Sequence, residues 1–160
     1  MTSRTPRTPS SWTNYLYNDN FMSSVNQLLQ GDSKFVINYS QTSFTKGDRT
    51  FYVRDRKSGE AWRVNSSKNT ENFSCDHYLN KTVLNYEKNG VKASVRIFVP
   101  NKGKKEIWSI TLTNTGENER TLKLIPYART EMDVVYRPQG YNFGYGNFMA
   151  DKQTVFGRDY

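Results

Sequence analysis

The sequence predicts an all-β protein, an antiparallel β-sandwich with at most one short helix. Apolar and polar residues alternate at a period of two over several stretches, and turn-forming pairs separate these stretches. Helical spacing occurs in only one segment, 19–32. Strands joined by tight turns in this way are typical of two packed antiparallel sheets.

The N-terminal segment 1–10 is predicted to be a flexible tail, because Pro6 and Pro9 stand among polar residues there. Strand signals dominate from Trp12 onward, so the domain is predicted to cover 11–160.

The segment 19–32 fits either the one short helix or a strand followed by a loop. It ends at Gly31, a residue that commonly stops a helix. Its apolar residues at roughly helical spacing are Phe21, Val25, Leu28 and Leu29.

Two turns are predicted from local sequence. Strands at 50–55 and 61–64 flank a turn at Ser58-Gly59. Asn89-Gly90 is the preferred pair for a two-residue type I′ turn, in which both residues need positive φ. The chain around Asn89-Gly90 is therefore predicted to form a hairpin.

The strand after Gly90 shows the clearest alternation, although Phe98 interrupts it and Pro100 ends it. The predicted buried face consists of Val91, Ala93, Val95, Ile97 and Val99. The predicted polar face consists of Lys92, Ser94 and Arg96.

The stretch EIWSITLTNTGENERTLKLIPYARTEM, residues 106–132, is predicted to form two long strands folded back on each other over a short polar turn that contains Gly116. One face of the first strand carries Trp108, Ile110 and Leu112. One face of the returning strand carries Leu122, Leu124, Pro126 and Ala128.

Composition restricts the function classes. The formal net charge of +8 leaves anionic partners open, but no dense basic run accompanies it. Cys75 is the only cysteine, so no internal disulfide forms, and the N-terminus lacks the apolar core of a secretory signal. No apolar run approaches the ~18 to 20 residues of a membrane span. We therefore expect a soluble cytoplasmic protein without a membrane association.

Two groups of reactive residue types are candidates for a catalytic or metal site. Cys75 and His77 share one face of a strand, but adjacent strand positions rarely provide nucleophilic geometry, and structural zinc takes four ligands. Glu131 and Asp133 also share a face at a spacing near that of inverting glycosidases, as does any acidic pair at i and i+2. We therefore predict no catalytic residue and no metal site in this chain.

The segment GYNFGYGNF, residues 140–148, mixes glycines with aromatic rings. Exposed rings of this kind stack on sugar faces, so Tyr141, Phe143 and Tyr145 are candidate carbohydrate contacts. The alternative is a turn packed by its own rings.

Two stretches together resemble a known family. They are GDRTFYVRDRKSGEAW, residues 47–62, and VRIFVPNKGKKEIWSITLTNTGENERTLKLIPYAR, residues 95–129. Their order and spacing are similar to those of glycoside hydrolase family 94, the inverting phosphorylases of cellobiose, chitobiose and 1,2-β-oligoglucans. The stretch WTNYLYNDNF, residues 12–21, most resembles the 1,2-β-oligoglucan type.

The resemblance implies that the chain is the front part of the family's N-terminal supersandwich domain. It also implies a missing (α/α)6 barrel, which carries the catalytic acid, so that this chain alone is inactive. The parent enzyme uses inorganic phosphate and no other cofactor to cleave a β-linked oligosaccharide. The expected partners are a second copy of the chain or the missing barrel. Tyr78-Leu79-Asn80-Lys81 stands where the family pattern has glycines, which puts any loop contribution to a neighbouring active site in doubt.

Two alternatives from other classes stay open. One is a stand-alone carbohydrate-binding module that uses the 140–148 segment. The other, the least favoured, is a basic nucleic-acid-binding domain, for which the charge of +8 is the sole argument.

Overall fold

The computed structural model describes the backbone of residues 1–37, 40–66, 72–133, 144–149 and 154–159, with side chains in 1–33, 49–66 and 72–128. Thirteen strands and no helix lie within these ranges, which confirms the all-β prediction. In chain order the strands are β1 (Thr2–Ser3), β2 (Thr13–Asn18), β3 (Phe21–Asn26), β4 (Ser33–Ile37), β5 (Ser40–Asp55), β6 (Ala61–Arg63), β7 (Phe73–His77), β8 (Thr82–Lys88), β9 (Val91–Phe98), β10 (Ile107–Asn114), β11 (Leu122–Asp133), β12 (Gly144–Met149) and β13 (Thr154–Asp159).

The strands form two main antiparallel sheets. Sheet I has five strands in the order β1-β7-β8-β9-β10. Sheet II has six strands, in the order β11-β5-β4-β3-β2 with β6 paired to β5. Strands β12 and β13 pair with each other as a separate two-stranded ladder.

The hydrophobic core lies between the inner faces of sheets I and II. Sheet I contributes the predicted alternating face of β9, and Val91, Ala93, Val95 and Ile97 are each no more than 2% exposed. Sheet II contributes side chains from β2, β3, β5 and β6. Period-two alternation with one buried face is therefore confirmed for β9, and the two sheets pack as a sandwich.

The two predicted turns occur where the sequence places them. Asn89 and Gly90 have φ values of 53° and 69°, the positive values that a type I′ turn requires. Gly59 has a φ of 75° in the connection between β5 and β6. These two strands pair with each other, with Val53 opposite Trp62.

The predicted hairpin at 106–132 is wrong in its pairing, although both of its strands exist. Strand β10 pairs with β9 in sheet I, while β11 pairs with β5 in sheet II. The connection between them crosses from one sheet to the other. Thr115 N donates to Gly90 O at 2.9 Å at its start, and Thr121 O accepts from Arg56 N at 2.9 Å at its end.

A helix at 19–32 is also wrong, and the strand-and-loop alternative is confirmed. Residues Phe21–Asn26 form β3, with Phe21, Ser23 and Val25 buried on alternate positions. Pairing with β2 and β4 overrides the weak helical spacing. The loop that follows is held by the Asn26 Oδ1 atom, which accepts from the backbone N–H groups of Leu28 and Gln30 at 2.8 and 2.9 Å.

The first residues of the predicted tail pair with sheet I. Thr2 and Ser3 form β1 opposite Asp76 and Cys75 of β7, and Met1 O accepts from His77 N at 2.8 Å. The flexibility of residues 1–10 in solution stays a prediction.

Candidate functional site

The predicted carbohydrate-contact residues lie largely outside the part of the chain that the structure describes. Tyr141 and Phe143 fall outside the described residues. Tyr145 lies in β12, where its backbone pairs with Arg158 of β13, and its side chain is outside the described set. Their role as sugar contacts stays a prediction.

Cys75, Asp76 and His77 occupy the end of β7. As the alternation predicts, Cys75 and His77 share a face, with Sγ and Nε2 3.9 Å apart. The His77 ring is held on both sides, because Nε2 lies 2.9 Å from the Trp12 carbonyl oxygen and Nδ1 lies 3.0 Å from the Thr82 hydroxyl. These contacts use both ring nitrogens to join β7 to neighbouring segments.

The protonation of these residues is set by burial. Burial raises the pKa of the Cys75 thiol to about 12, with a smaller contribution from Asp76. Burial also lowers the pKa of His77, against the hydrogen bond to Trp12. Cys75 is therefore a neutral thiol at physiological pH, and it is fully buried rather than poised as a nucleophile.

Glu131 and Asp133 lie near the end of β11. The register of β11 against β5 shifts between Thr130 and Asp133, where three steps on β11 match two steps on β5. Such a bulge interrupts the simple alternation that would place Glu131 and Asp133 on one face. The side chains of this segment are outside the described set.

A buried ion pair between the sheets is the main feature that the sequence analysis missed. Arg49 on β5 is 0% exposed, and its Nη1 atom lies 2.5 Å from Oε2 of Glu106, which directly precedes β10. The hydroxyls of Ser23 and Ser33 donate to the same carboxylate oxygen at 2.5 and 2.8 Å. The other carboxylate oxygen, Oε1, accepts from Trp108 Nε1 at 2.6 Å.

The remaining donors of Arg49 bind the backbone of β3 and of the turn that follows it. Its Nε atom donates to the Leu29 carbonyl oxygen at 3.3 Å, and its Nη2 atom donates to the carbonyl oxygen of Ser24. The guanidinium also lies 6.0 Å from the centre of the Trp108 ring. Each nitrogen of the guanidinium donates to an acceptor, and the cluster combines Arg49, Ser23 and Ser33 of sheet II with Glu106 and Trp108 at β10 of sheet I.

The sequence pointed only to the two segments that contain this pair. Arg49 lies within the stretch 47–62 and Glu106 within the stretch 95–129, the two segments that carry the family resemblance. The two residues are 57 positions apart, so no local pattern connects them.

One side of the sandwich is incompletely covered. In the described part of the chain β10 pairs with β9 alone and β11 with β5 alone, so these strands end their sheets. Both edges lie on the same side of the sandwich, since the Trp108 ring of β10 contacts the Phe51 ring of β5, the strand that pairs with β11, edge-on at 6.2 Å. We call this side the open flank; its inner-face residues are Trp108, Ile110 and Leu112 of β10 and Leu122, Leu124 and Pro126 of β11.

The open flank exposes apolar side chains. Leu124 faces inward opposite Val53, yet it is 38% exposed, because sheet I does not reach across it. On the outer face of the same strand, Ile125 is 39% and Tyr127 44% exposed. Exposed apolar side chains beside an unpaired strand edge are typical of a surface that contacts further polypeptide.

The 78–81 loop between β7 and β8 is a compact turn. Tyr78 N donates to Lys81 O at 2.9 Å, and the Lys81 ammonium lies 5.1 Å from the Tyr78 ring centre. The Asn14 side-chain amide donates to the carbonyl oxygens of Tyr78 and Lys81, at 2.8 and 3.3 Å. Leu79 projects into solvent and is fully exposed.

Neither a metal cluster nor a membrane-spanning helix occurs in the ranges that the structure describes. No group of three or more His, Cys, Asp or Glu side chains there is arranged to hold a metal ion. No helix there is long and apolar enough to cross a bilayer.

Comparison with known proteins gives a consistent result. The family described as "Glycosyl hydrolase 94, supersandwich domain" matches residues 1–158. The chain is 38% identical over 123 residues to the 3-O-beta-D-glucopyranosyl-beta-D-glucuronide phosphorylase of Paenibacillus borealis, covering 75% of this chain and 16% of that protein. It is 28% identical over 163 residues to the solabiose phosphorylase of Paenibacillus borealis, covering 93% of this chain and 21% of that protein.

A third relative is the N,N'-diacetylchitobiose phosphorylase of Vibrio furnissii, with 28% identity over 138 residues, covering 76% of this chain and 17% of that protein. The chain thus matches about a fifth or less of the length of these relatives.

Proposed function

The chain belongs to the glycosyl hydrolase 94 supersandwich family, and on that premise we propose that it is the non-catalytic N-terminal scaffold of an inverting phosphorylase. The whole enzyme acts on a β-linked oligosaccharide in the cytoplasm. Inorganic phosphate attacks the anomeric carbon, the glycosidic bond breaks, and a sugar 1-phosphate and a shortened saccharide are released. The chemistry belongs to a catalytic barrel, and this chain supplies a rigid sandwich beside it.

The open flank is the observation that carries the proposal. A self-contained sandwich covers its inner faces, whereas here Leu124 and Pro126 face inward and are exposed at the end of sheet II. The buried Arg49–Glu106 pair holds β10 and β5 rigidly together beside this surface. A rigid sandwich with one uncovered apolar side suits a scaffold against which other polypeptide packs.

We further propose that in the isolated chain a second copy covers the open flank, so that the chain is a homodimer. A charge introduced at the flank then weakens the dimer. Leu124→Glu places a carboxylate among apolar side chains, whereas Leu79→Glu places the same charge on the fully exposed 78–81 loop. Sedimentation velocity is expected to show dissociation for Leu124→Glu and an unchanged dimer for Leu79→Glu. Equal behaviour of the two variants would place the contact elsewhere.

The non-catalytic part of the proposal is tested by a phosphorolysis assay. The purified chain is incubated with phosphate and β-linked disaccharides, with a full-length family phosphorylase as the positive control. The disaccharides include an acidic one, a glucopyranosyl-glucuronide, because the name of the Paenibacillus borealis relative contains that compound. We expect no sugar 1-phosphate from the chain alone, and its release would overturn a purely scaffolding role.

A further inference from the structure

A cavity of about 460 Å³ lies on sheet I and shares no lining residue with the open flank; besides polar residues of the outer face, Phe73 and Tyr86 line it. Its polar lining comes from two neighbouring cross-strand rows. The first row contains Arg4, Ser74 and Asn85, and the second contains Asn72, Glu87 and Lys92. A volume of this size is within the range of small-ligand pockets and accommodates one or two sugar rings.

Strand register explains why polar side chains converge there. Leu84 and Tyr86 of β8 point into the core, so Asn85 and Glu87 project from the opposite face. Ser74 pairs with Asn85, whose amide donates to the Ser74 hydroxyl at 3.0 Å. Although Ser74 lies on the outer face, it is only 8% exposed. The cavity is therefore a concave, partly enclosed part of an otherwise solvated face.

The second row is held in place by hydrogen bonds. Glu87 accepts from the Asn72 side-chain amide at 2.8 Å and from the Thr115 hydroxyl at 2.9 Å. These bonds hold the pKa of Glu87 below its usual range, with a smaller contribution from Lys92, so that the carboxylate stays ionised. Lys92 lies directly opposite Glu87 in the ladder.

The charges of the lining restrict the ligand. Arg4 and Lys92 are cations and Glu87 is an anion, which leaves one positive charge among these lining residues. A dianionic phosphate would meet the Glu87 carboxylate, whereas a single carboxylate can bind a cation while neutral hydroxyls donate to Glu87. The amides of Asn72 and Asn85 and the Ser74 hydroxyl are the partners that sugar hydroxyl groups use.

We propose that this cavity binds a saccharide that carries a carboxylate, as a uronic acid does. Arg4 and Lys92 bind the carboxylate, and Glu87 and the amides bind ring hydroxyls. The inference rests on the proposed function, in that it names an acidic saccharide as a ligand of a saccharide-processing protein. It adds a site on the scaffold, outside any catalytic centre.

The test is a calorimetric titration of the 160-residue chain with a β-linked glucosyl-glucuronic acid and, separately, with cellobiose, its neutral counterpart. The acidic disaccharide is expected to bind about tenfold more tightly, as one charge-assisted contact implies. Arg4→Gln and Lys92→Gln are each expected to reduce that preference, and the double variant is expected to remove it. Lys102→Gln, in the exposed loop before β10, is the matched control and leaves it unchanged.

Equal affinity for the two disaccharides, or no binding of either, would overturn the proposal, as would displacement by inorganic phosphate at equal concentration. Circular dichroism of each variant establishes that it is folded. Light scattering on the same samples separates the two proposals. A dimer that does not bind the acidic disaccharide contradicts the saccharide site and leaves the scaffold proposal intact.

Discussion

Arg49 of sheet II and Glu106, which directly precedes β10 of sheet I, form a buried ion pair, with Nη1 and Oε2 2.5 Å apart. The pair is completed by hydroxyl donors from β3 and β4 and by the Trp108 indole. The contact therefore fixes how the two sheets sit against each other at the point where the open flank begins.

Removal of the carboxylate is expected to destabilise the fold strongly. In Glu106→Ala the Arg49 charge stays buried without its partner, and such a loss costs about 3–5 kcal/mol in the free energy of unfolding. Urea unfolding followed by tryptophan fluorescence measures this cost. The control is Glu119→Ala, at an exposed site in the 115–121 connection, with an expected change within about 0.5 kcal/mol. A cost for Glu106→Ala as small as that of the control would contradict a structural role for the pair.

The loop after β3 depends on glycine at position 31. A Cβ added to Gly31 would lie 2.0 Å from the Ser24 carbonyl oxygen, which is backbone and cannot move away cheaply. Gly59 also has positive φ, but a Cβ there meets nothing within 4 Å. Gly59→Ala therefore costs about 1–2 kcal/mol from backbone strain alone, whereas Gly31→Ala costs clearly more. Chemical denaturation of both variants checks the order, and equal losses would show that the close approach is absent.

The free energy of unfolding is expected to decrease as the pH is lowered and His77 becomes protonated. Burial lowers the folded-state pKa of His77 from its ordinary 6.5, and the N-terminal amine lowers it further, while the Trp12 carbonyl and Asp76 act in the opposite direction. The unfolded chain therefore binds the proton first, and the stability present above pH 6.5 is lost as pH falls toward the folded-state pKa.

Urea midpoints at pH 7.5, 6.5 and 5.5 measure this dependence. The pKa values of Asp55 and Glu87 are also lowered, by hydrogen bonds to their carboxylates. These groups affect stability only below about pH 4.5, outside the measured range. We expect the midpoint of the unmodified chain to fall across this range, and that of His77→Gln to stay nearly level. A parallel fall in both proteins would assign the dependence to another group.

The sequence predicted local features well, because local physics determines them. Asn89-Gly90 encodes its turn through the backbone conformation that the pair tolerates, and the face of β9 is encoded by alternation alone. The faces of β10 and β11 were also predicted, since alternation is independent of which strand lies alongside.

Which strands pair with each other could not be predicted from local sequence. The pattern of β10 and β11 is the same for a hairpin and for a crossover between sheets, and only contacts such as Arg56 N to Thr121 O select the crossover. The Arg49–Glu106 pair likewise requires residues 57 positions apart to meet. The cavity on sheet I depends on register across β7, β8 and β9, which no single segment reveals.

The most direct test of the central claim is light scattering coupled to size-exclusion chromatography on the purified 160-residue chain. If the open flank is a surface for other polypeptide, the chain is a dimer at high concentration, with twice the chain mass of 18.6 kDa. A compact monomer over the whole concentration range would show that these residues close a sandwich alone. That result would contradict the scaffold account and favour a self-contained carbohydrate-binding module.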